Sequence, residues 1–181
     1  MSSDAEKLQP LYELFEASSH DVFESLGCSV VRVETAEEKV NPPCAYIEAR
    51  SDELDMLLLL RGPMTVLEQT LPTKGDGKSV SENDLNDWIS ELANRFMGNL
   101  KNKLLVYDHR LKMGTPNSES NVGLERFNVN DFTSRVLYFD TGSDVFECAL
   151  YSKPLTEHLH FIYHEPAHYG QKNDDGDLEI F

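Results

Sequence analysis

The chain has 181 residues, 40% hydrophobic and 27% charged, the proportions of one soluble globular domain long enough to bury a core. Acids outnumber bases 32 to 16, giving a net charge of −16, which excludes a general attraction for nucleic-acid phosphates or anionic membrane surfaces. The longest unbroken apolar run is Met56 to Leu60, far short of the roughly 18 residues of a transmembrane helix.

The opening MSSDAEKLQP has no basic stretch followed by an apolar one, so no signal peptide is expected and the cytoplasm is the expected location. A first helix is expected from Asp4 to Leu26. Leu8, Leu11, Tyr12, Phe15, Val22, Phe23 and Leu26 keep helical spacing, with Asp4 as cap and Gly27 as stop. Val30 to Glu34 reads as a short strand, and the loop that follows ends in two prolines. Cys44 to Arg50 and Leu54 to Arg61 read as a hairpin turning around Ser51 to Glu53. LDMLLLL is too continuous to be half exposed and is expected in the middle of the sheet. Gly62-Pro63 ends that strand, Met64 to Leu71 reads as a short helix, and TKGDGKS as a polar link.

Ser81 to Leu105 has the cleanest periodicity of the chain. Leu85, Trp88, Ile89, Leu92, Phe96 and Leu100 recur at intervals of three and four and form one apolar stripe. Two capping pairs compete at its start, Ser79 with Glu82 and Ser81 with Asp84. Leu104 to Met113 is expected as a strand, GTPNSESNVG as a loop, and Arg135 to Asp140 with Asp144 to Tyr151 as a hairpin. A last strand from Glu157 to His164 stops at Pro166, before an acidic tail. Helices separated by runs of hairpin-linked strands imply an α+β fold. It is expected to be a two-layer sandwich with a largely antiparallel sheet and two long helices on one face.

Cys28, Cys44 and Cys148 form no CxxC pair and read as reduced, buried small hydrophobes. GxSxG, HExxH and phosphate-cradling glycine loops are absent. His158 and His160 alternate on one strand face and could supply two imidazoles to a metal, with His164 or Glu165 as a third ligand, and His164 and His168 follow at intervals of four. Pro166 keeps them from lining one helix, and a solvated face is the ordinary reading. From Arg95 to Lys112 five bases face one acid, Asp108, a basic stretch that suits a helix C-terminus or an acidic partner.

The polar side of the central helix carries Asp87, Glu91, Asn94 and Gly98. Glu91 and Asn94 are three apart and share one surface. An exposed Glu/Asn pair is ordinarily plain solvated surface. An amide can nevertheless donate and accept at once and so fix a water molecule, which phosphoryl transfer rewards because it depends on positioning. A glycine one turn on would let another protein come close.

DWISELANRFMGN resembles the signature of the CheC, CheX and FliY chemotaxis phosphatases: an Asp or Ser, then Glu, then Asn at fixed spacing, and a proline further along. Asp87, Glu91 and Asn94 match it, and Pro116 takes the place of the proline. LFEASSHDVFESLG resembles the family's opening helix, Cys44 to Gly62 its first strand pair and Arg135 to Tyr151 its closing hairpin. Glu16 is followed by Ser19 rather than Asn, which is closer to CheX, with one active centre, than to CheC, with two. The resemblance implies a phosphatase domain over residues 1–152 and an added C-terminal strand and tail over 153–181. It implies removal of phosphate from the aspartyl phosphate of a CheY-type response regulator. Asn94 would orient the attacking water and Glu91 would pair with the regulator's lysine. Asp87, Gly98, Lys101 and Pro116 would meet the partner. The Mg2+ would belong to the regulator, so no cofactor of the chain's own is expected, and a homodimer is implied. A non-catalytic interaction module of the same fold is the alternative.

Overall fold

The structure of the protein, a computed structural model, describes residues 4–35, 42–72, 79–120 and 123–165. The polar link, the loop before the two prolines, His168, Pro166 and the acidic tail lie wholly or mainly outside the described residues.

The N-terminal helix is divided into α1 (Asp4–Lys7) and α2 (Gln9–Ser25), rather than continuous as expected. Pro10 has no N–H to donate to the carbonyl one turn back, so a regular ladder cannot cross that point. The chain turns through Leu8, whose N–H donates to the Asp4 carbonyl at 3.0 Å and whose carbonyl accepts from Tyr12 at 3.1 Å. At the other end Gly27 has a φ of 68°, and the Cys28 N–H reaches back to the Phe23 carbonyl at 3.0 Å, closing the helix in the left-handed manner that glycine permits.

Strand β1 (Val31–Val33) leads to the hairpin of β2 (Pro43–Arg50) and β3 (Leu54–Arg61), paired from Cys44 opposite Arg61 to Arg50 opposite Asp55. The Ser51 hydroxyl holds the turn by accepting from the Glu53 and Leu54 N–H groups at 3.2 and 3.0 Å. After Gly62 comes α3 (Met64–Thr70). A Cβ on Gly62 would lie 2.5 Å from Cε2 of Phe146, so only glycine fits there. The long helix α4 (Glu82–Leu104) starts on the second of the two possible caps. The Ser81 hydroxyl accepts from the Asp84 N–H, and the Asp84 carboxylate accepts from the Ser81 N–H.

Beyond α4 the expected strand Leu104 to Met113 is largely replaced. The helix tightens into a single 3-10 turn, Leu105–Tyr107, and Asp108 turns the chain at a φ of 61°. Only β4 (Lys112–Met113) pairs with β2, and β5 (Asn117–Ser120), inside the segment expected as loop, pairs with it too. Both short strands satisfy the outer edge of β2, whose backbone groups needed partners. A second 3-10 turn, Leu124–Arg126, precedes the hairpin β6 (Thr133–Asp140) and β7 (Val145–Pro154). The strand order is β1-β6-β7-β3-β2-β4, with β5 also on β2, and every pairing is antiparallel. This is the α+β arrangement read from the sequence.

β3 lies between β7 and β2, and its unbroken apolar run is explained by burial on both faces. Leu54, Met56, Leu58 and Leu60 join the core under α2 and α4, while Leu57 and Leu59 pack with Cys44, Tyr46 and Ala149 on the other face, beneath Leu124, Phe127 and Val129. At the centre of the main core Phe23 meets Phe96, Phe139 and Phe146 at ring separations of 5.5, 5.2 and 5.5 Å. Each such ring contributes about 1.5–3 kcal/mol on burial. Among the described residues no helix is long and apolar enough to cross a membrane.

The expected last strand, Glu157 to His164, pairs with no other strand. With β4 and β5 already on β2, the segment docks instead through a buried side chain and isolated backbone hydrogen bonds. Leu159 is buried, the Leu155 N–H donates to Glu53, and the His164 N–H donates to the Val106 carbonyl at 2.6 Å. It thereby straps the end of α4 to the β2–β3 turn.

Candidate functional site

α4 has two faces because its sequence has two registers. Leu85, Trp88, Ile89, Leu92, Phe96 and Leu100 are buried, and the helix packs against α2, α3, β2, β3 and β5. Asp87, Glu91 and Asn94 are exposed on the opposite side, and Gly98 is half-buried one turn beyond Asn94. The spacing of four, three and four places all of them on one surface strip. A Cβ built on Gly98 meets nothing within 4 Å, so the fold itself has no need of glycine there. Lys101 is half-buried a further turn along, whereas Lys103 is turned to α2 and pairs with Asp21 at 2.6 Å. Pro116 comes from a separate element. It is half-buried in the link into β5, a strand that packs beside α4.

Glu91 is already engaged within the chain. Its Oε1 accepts from Nε of Arg95 at 2.9 Å, with the two side chains 46% and 42% exposed. The Arg95 guanidinium lies 5.0 Å from the centroid of the Trp88 ring. Trp88 is fixed in turn, its indole N–H donating to the Thr70 hydroxyl at 3.0 Å in the interior. Asn94 adds an exposed amide that can donate and accept. The strip therefore offers two carboxylates and an amide on a rigid helix, with the guanidinium beside Glu91, and no hydroxyl or thiol among Asp87, Glu91, Asn94 and Gly98. The cysteines supply none either. All three are free and buried, and burial holds the Cys28 thiol above its ordinary range and the Cys148 thiol well above it.

The concavities of the described residues include two away from this strip. One of about 620 Å³ is bordered by Arg50, Lys112, Phe127 and Lys153, and one of about 470 Å³ by Glu53, Tyr107, His109 and His160. Neither is lined by Glu91 or Asn94. The α4 strip is an outward face, suited to another macromolecule rather than to an enclosed small molecule.

The histidines divide differently from the sequence reading. His158 and His160 have parallel rings 6.2 Å apart, and among the described residues no group of three or more His, Cys, Asp or Glu side chains is placed to hold a metal. The histidine that sequence reasoning missed is His109, which is buried. Its Nδ1 lies 3.1 Å from Oε2 of Glu53, its Nε2 lies 3.1 Å from the His160 carbonyl oxygen, and its ring packs on Phe161. No local pattern announces it, because its partners come from residues distant along the chain.

No family model matches the chain, and no curated protein matches it. Solved structures do. A CheC-like superfamily protein from Shewanella sp. PV-4 superposes with a TM-score of 0.65 at 15% identity, over 79% of this chain and 97% of that one. The chemotaxis protein CheX from Vibrio vulnificus gives 0.65 at 12% identity, over 79% and 96%. A structure from Borrelia burgdorferi, a CheX–CheY complex with BeF3 and Mg2+, gives 0.62 at 8% identity, over 78% and 97%. The fold is that of the CheC-like and CheX chemotaxis proteins.

Proposed function

We propose that the chain is a CheX-like phosphatase that hydrolyses the aspartyl phosphate of a CheY-type response regulator docked on the exposed face of α4. The observation that carries this reading is the exposed pair Glu91 and Asn94, three residues apart on a helix whose other side is core. In a fold like that of a CheX solved with CheY, such a helix can lend an amide to a partner's reaction without moving. Asn94 orients the attacking water and Glu91 receives the regulator's lysine. Asp87, Gly98, Lys101 and Pro116 border the contact, with Gly98 giving clearance. The metal that such a reaction uses is the regulator's Mg2+. A homodimer in the cytoplasm belongs to the same reading. Edge strand β1, whose Val31 is 68% exposed, is one place where a second copy could pair, and sedimentation would give the mass.

A phosphorylated regulator is expected to lose phosphate faster in the presence of the protein. Asn94→Ala should abolish that acceleration, while Glu91→Ala should chiefly raise the regulator concentration needed. An unchanged decay rate with the unaltered protein would falsify the reading. One observation favours the alternative, a non-catalytic interaction module: Glu91 is already paired with Arg95. That alternative predicts regulator binding that survives Asn94→Ala with no acceleration by either form.

A further inference from the structure

His109 is the only buried histidine among the described residues, its side chain 2% exposed, and the proposed function makes no use of it. Both of its ring nitrogens face groups that only accept hydrogen bonds. Nδ1 lies 3.1 Å from Oε2 of Glu53, and Nε2 lies 3.1 Å from the His160 carbonyl oxygen. A neutral imidazole has one N–H for these two acceptors, whereas the imidazolium has two. In the neutral ring the charged carboxylate makes the stronger claim on that hydrogen. Nε2 would then turn a lone pair to the carbonyl, and the strap of residues 155–165 would lose its bond to the ring. Burial disfavours a cation, and the adjacent carboxylate offsets that cost. The Glu53 side chain is 41% exposed, so water solvates its charge and the second proton belongs on the ring.

The other charged or titratable groups around this concavity come from three places. Asp52 accompanies Glu53 on the β2–β3 turn, Tyr107, Asp108 and Arg110 follow α4, and His160 and His164 belong to the strap. Asp108 and Arg110 pair with each other at 3.5 Å and are 74% and 84% exposed, so their charges largely cancel. Asp52 adds a carboxylate, which favours a cation, and His160 and His164 are open to water. We propose that residues 155–165 form a proton-held latch. It closes on His109 in the doubly protonated form, which bridges the Glu53 carboxylate to the His160 carbonyl, and it loosens when the second proton leaves. The closed strap thus holds one proton more than the open one, and the closed fraction falls as pH rises. What opens is the contact at the end of α4, where the His164 N–H donates to the Val106 carbonyl and Leu159 joins the core. Glu91 and Asn94 do not line this concavity, so the latch does not depend on what docks on their strip.

The test is amide hydrogen exchange of the full chain by NMR from about pH 5 to 8, where imidazole changes charge. Each rate is corrected for the intrinsic pH dependence of exchange. The reporters are the His164 and Leu155 amides, bonded to the Val106 and Glu53 carbonyls, with the inner amides of α4 as control. Protection of the His164 amide is expected to fall about threefold to tenfold as pH rises, the worth of one net hydrogen bond, while α4 holds. His109→Gln keeps a donor for the carbonyl but cannot titrate, so its protection should be flat with pH. A triple variant, His158→Gln, His160→Gln and His164→Gln, should keep the fall. Ring nitrogen spectra of the unaltered protein should show both His109 nitrogens protonated at the acid end and one at the alkaline end. Protection that is constant or rises with pH would overturn the proposal, as would a fall that persists in His109→Gln or vanishes in the triple variant. If His109→Gln does not fold, the ring spectra decide: a single protonated nitrogen throughout, with the strap protected, overturns the latch.

Discussion

At the scale of single residues, Gly98 separates folding from the proposed function. It is a helix-interior glycine with nothing near its absent side chain. Gly98→Ala should therefore stabilise the isolated protein by about 1 kcal/mol, a rise of about 2–4 °C in Tm for a chain of this size. The same methyl should weaken regulator binding if a partner approaches there, which titration calorimetry with the beryllofluoride-charged regulator would read. That Glu91, Asn94 and Gly98 share one face of α4 was legible in the sequence, because helical spacing alone fixes which residues do so. The place of Arg95 over Trp88 and the hub at His109 were not legible. Arg95 is positioned by a Trp88 held by Thr70, and His109 by Glu53 and His160. Those contacts exist only after the chain has folded.

Among the elements, the strap formed by residues 155–165 joins no strand. His109 is its chief polar anchor, meeting the Glu53 carboxylate on one side and the His160 carbonyl on the other. His109→Ala removes that hydrogen bond, worth about 0.5–1.5 kcal/mol net, together with the ring's packing on Phe161. The strap is then expected to open while α4 and the sheet persist. Limited proteolysis should cut between Leu155 and Glu165 sooner, with the far-UV circular dichroism little changed. The sequence misled here for a physical reason. Alternation of His158, Leu159, His160 and Phe161 is what a strand needs, but pairing also needs an unclaimed neighbour, and β4 and β5 had claimed the edge of β2. Pro10, read as one residue of a continuous helix, divides it for an equally local reason. By contrast the hairpins were legible because their alternation and turns agree, and Ser81 was legible as one of two candidate caps because its partner Asp84 is three residues away.

For the molecule as a whole, burial sets the alkaline limit of stability. Desolvation raises the folded-state pKa of the Cys28 and Cys148 thiols above the ordinary 9.0, and of the Tyr12, Tyr138 and Tyr151 phenols above the ordinary 10.0. Each group ionises more readily in the unfolded chain. The unfolded state thus binds fewer protons at high pH, and stability falls as pH rises. The contribution is complete below the unfolded thiol value and is lost progressively above it. Chemical unfolding followed from pH 8 to 11 should show a declining midpoint, and the native thiols should resist alkylation until the protein opens.

The same helix that carries the exposed strip also touches α2, α3, β2, β3 and β5. Its inner amides can exchange with deuterium only when the whole core opens. On the proposed function, a regulator meeting Glu91 and Asn94 would therefore meet a rigid bar, not a segment that folds on contact. Association should show no slow ordering step, and its heat-capacity change should be no larger than the area of the joined surfaces accounts for.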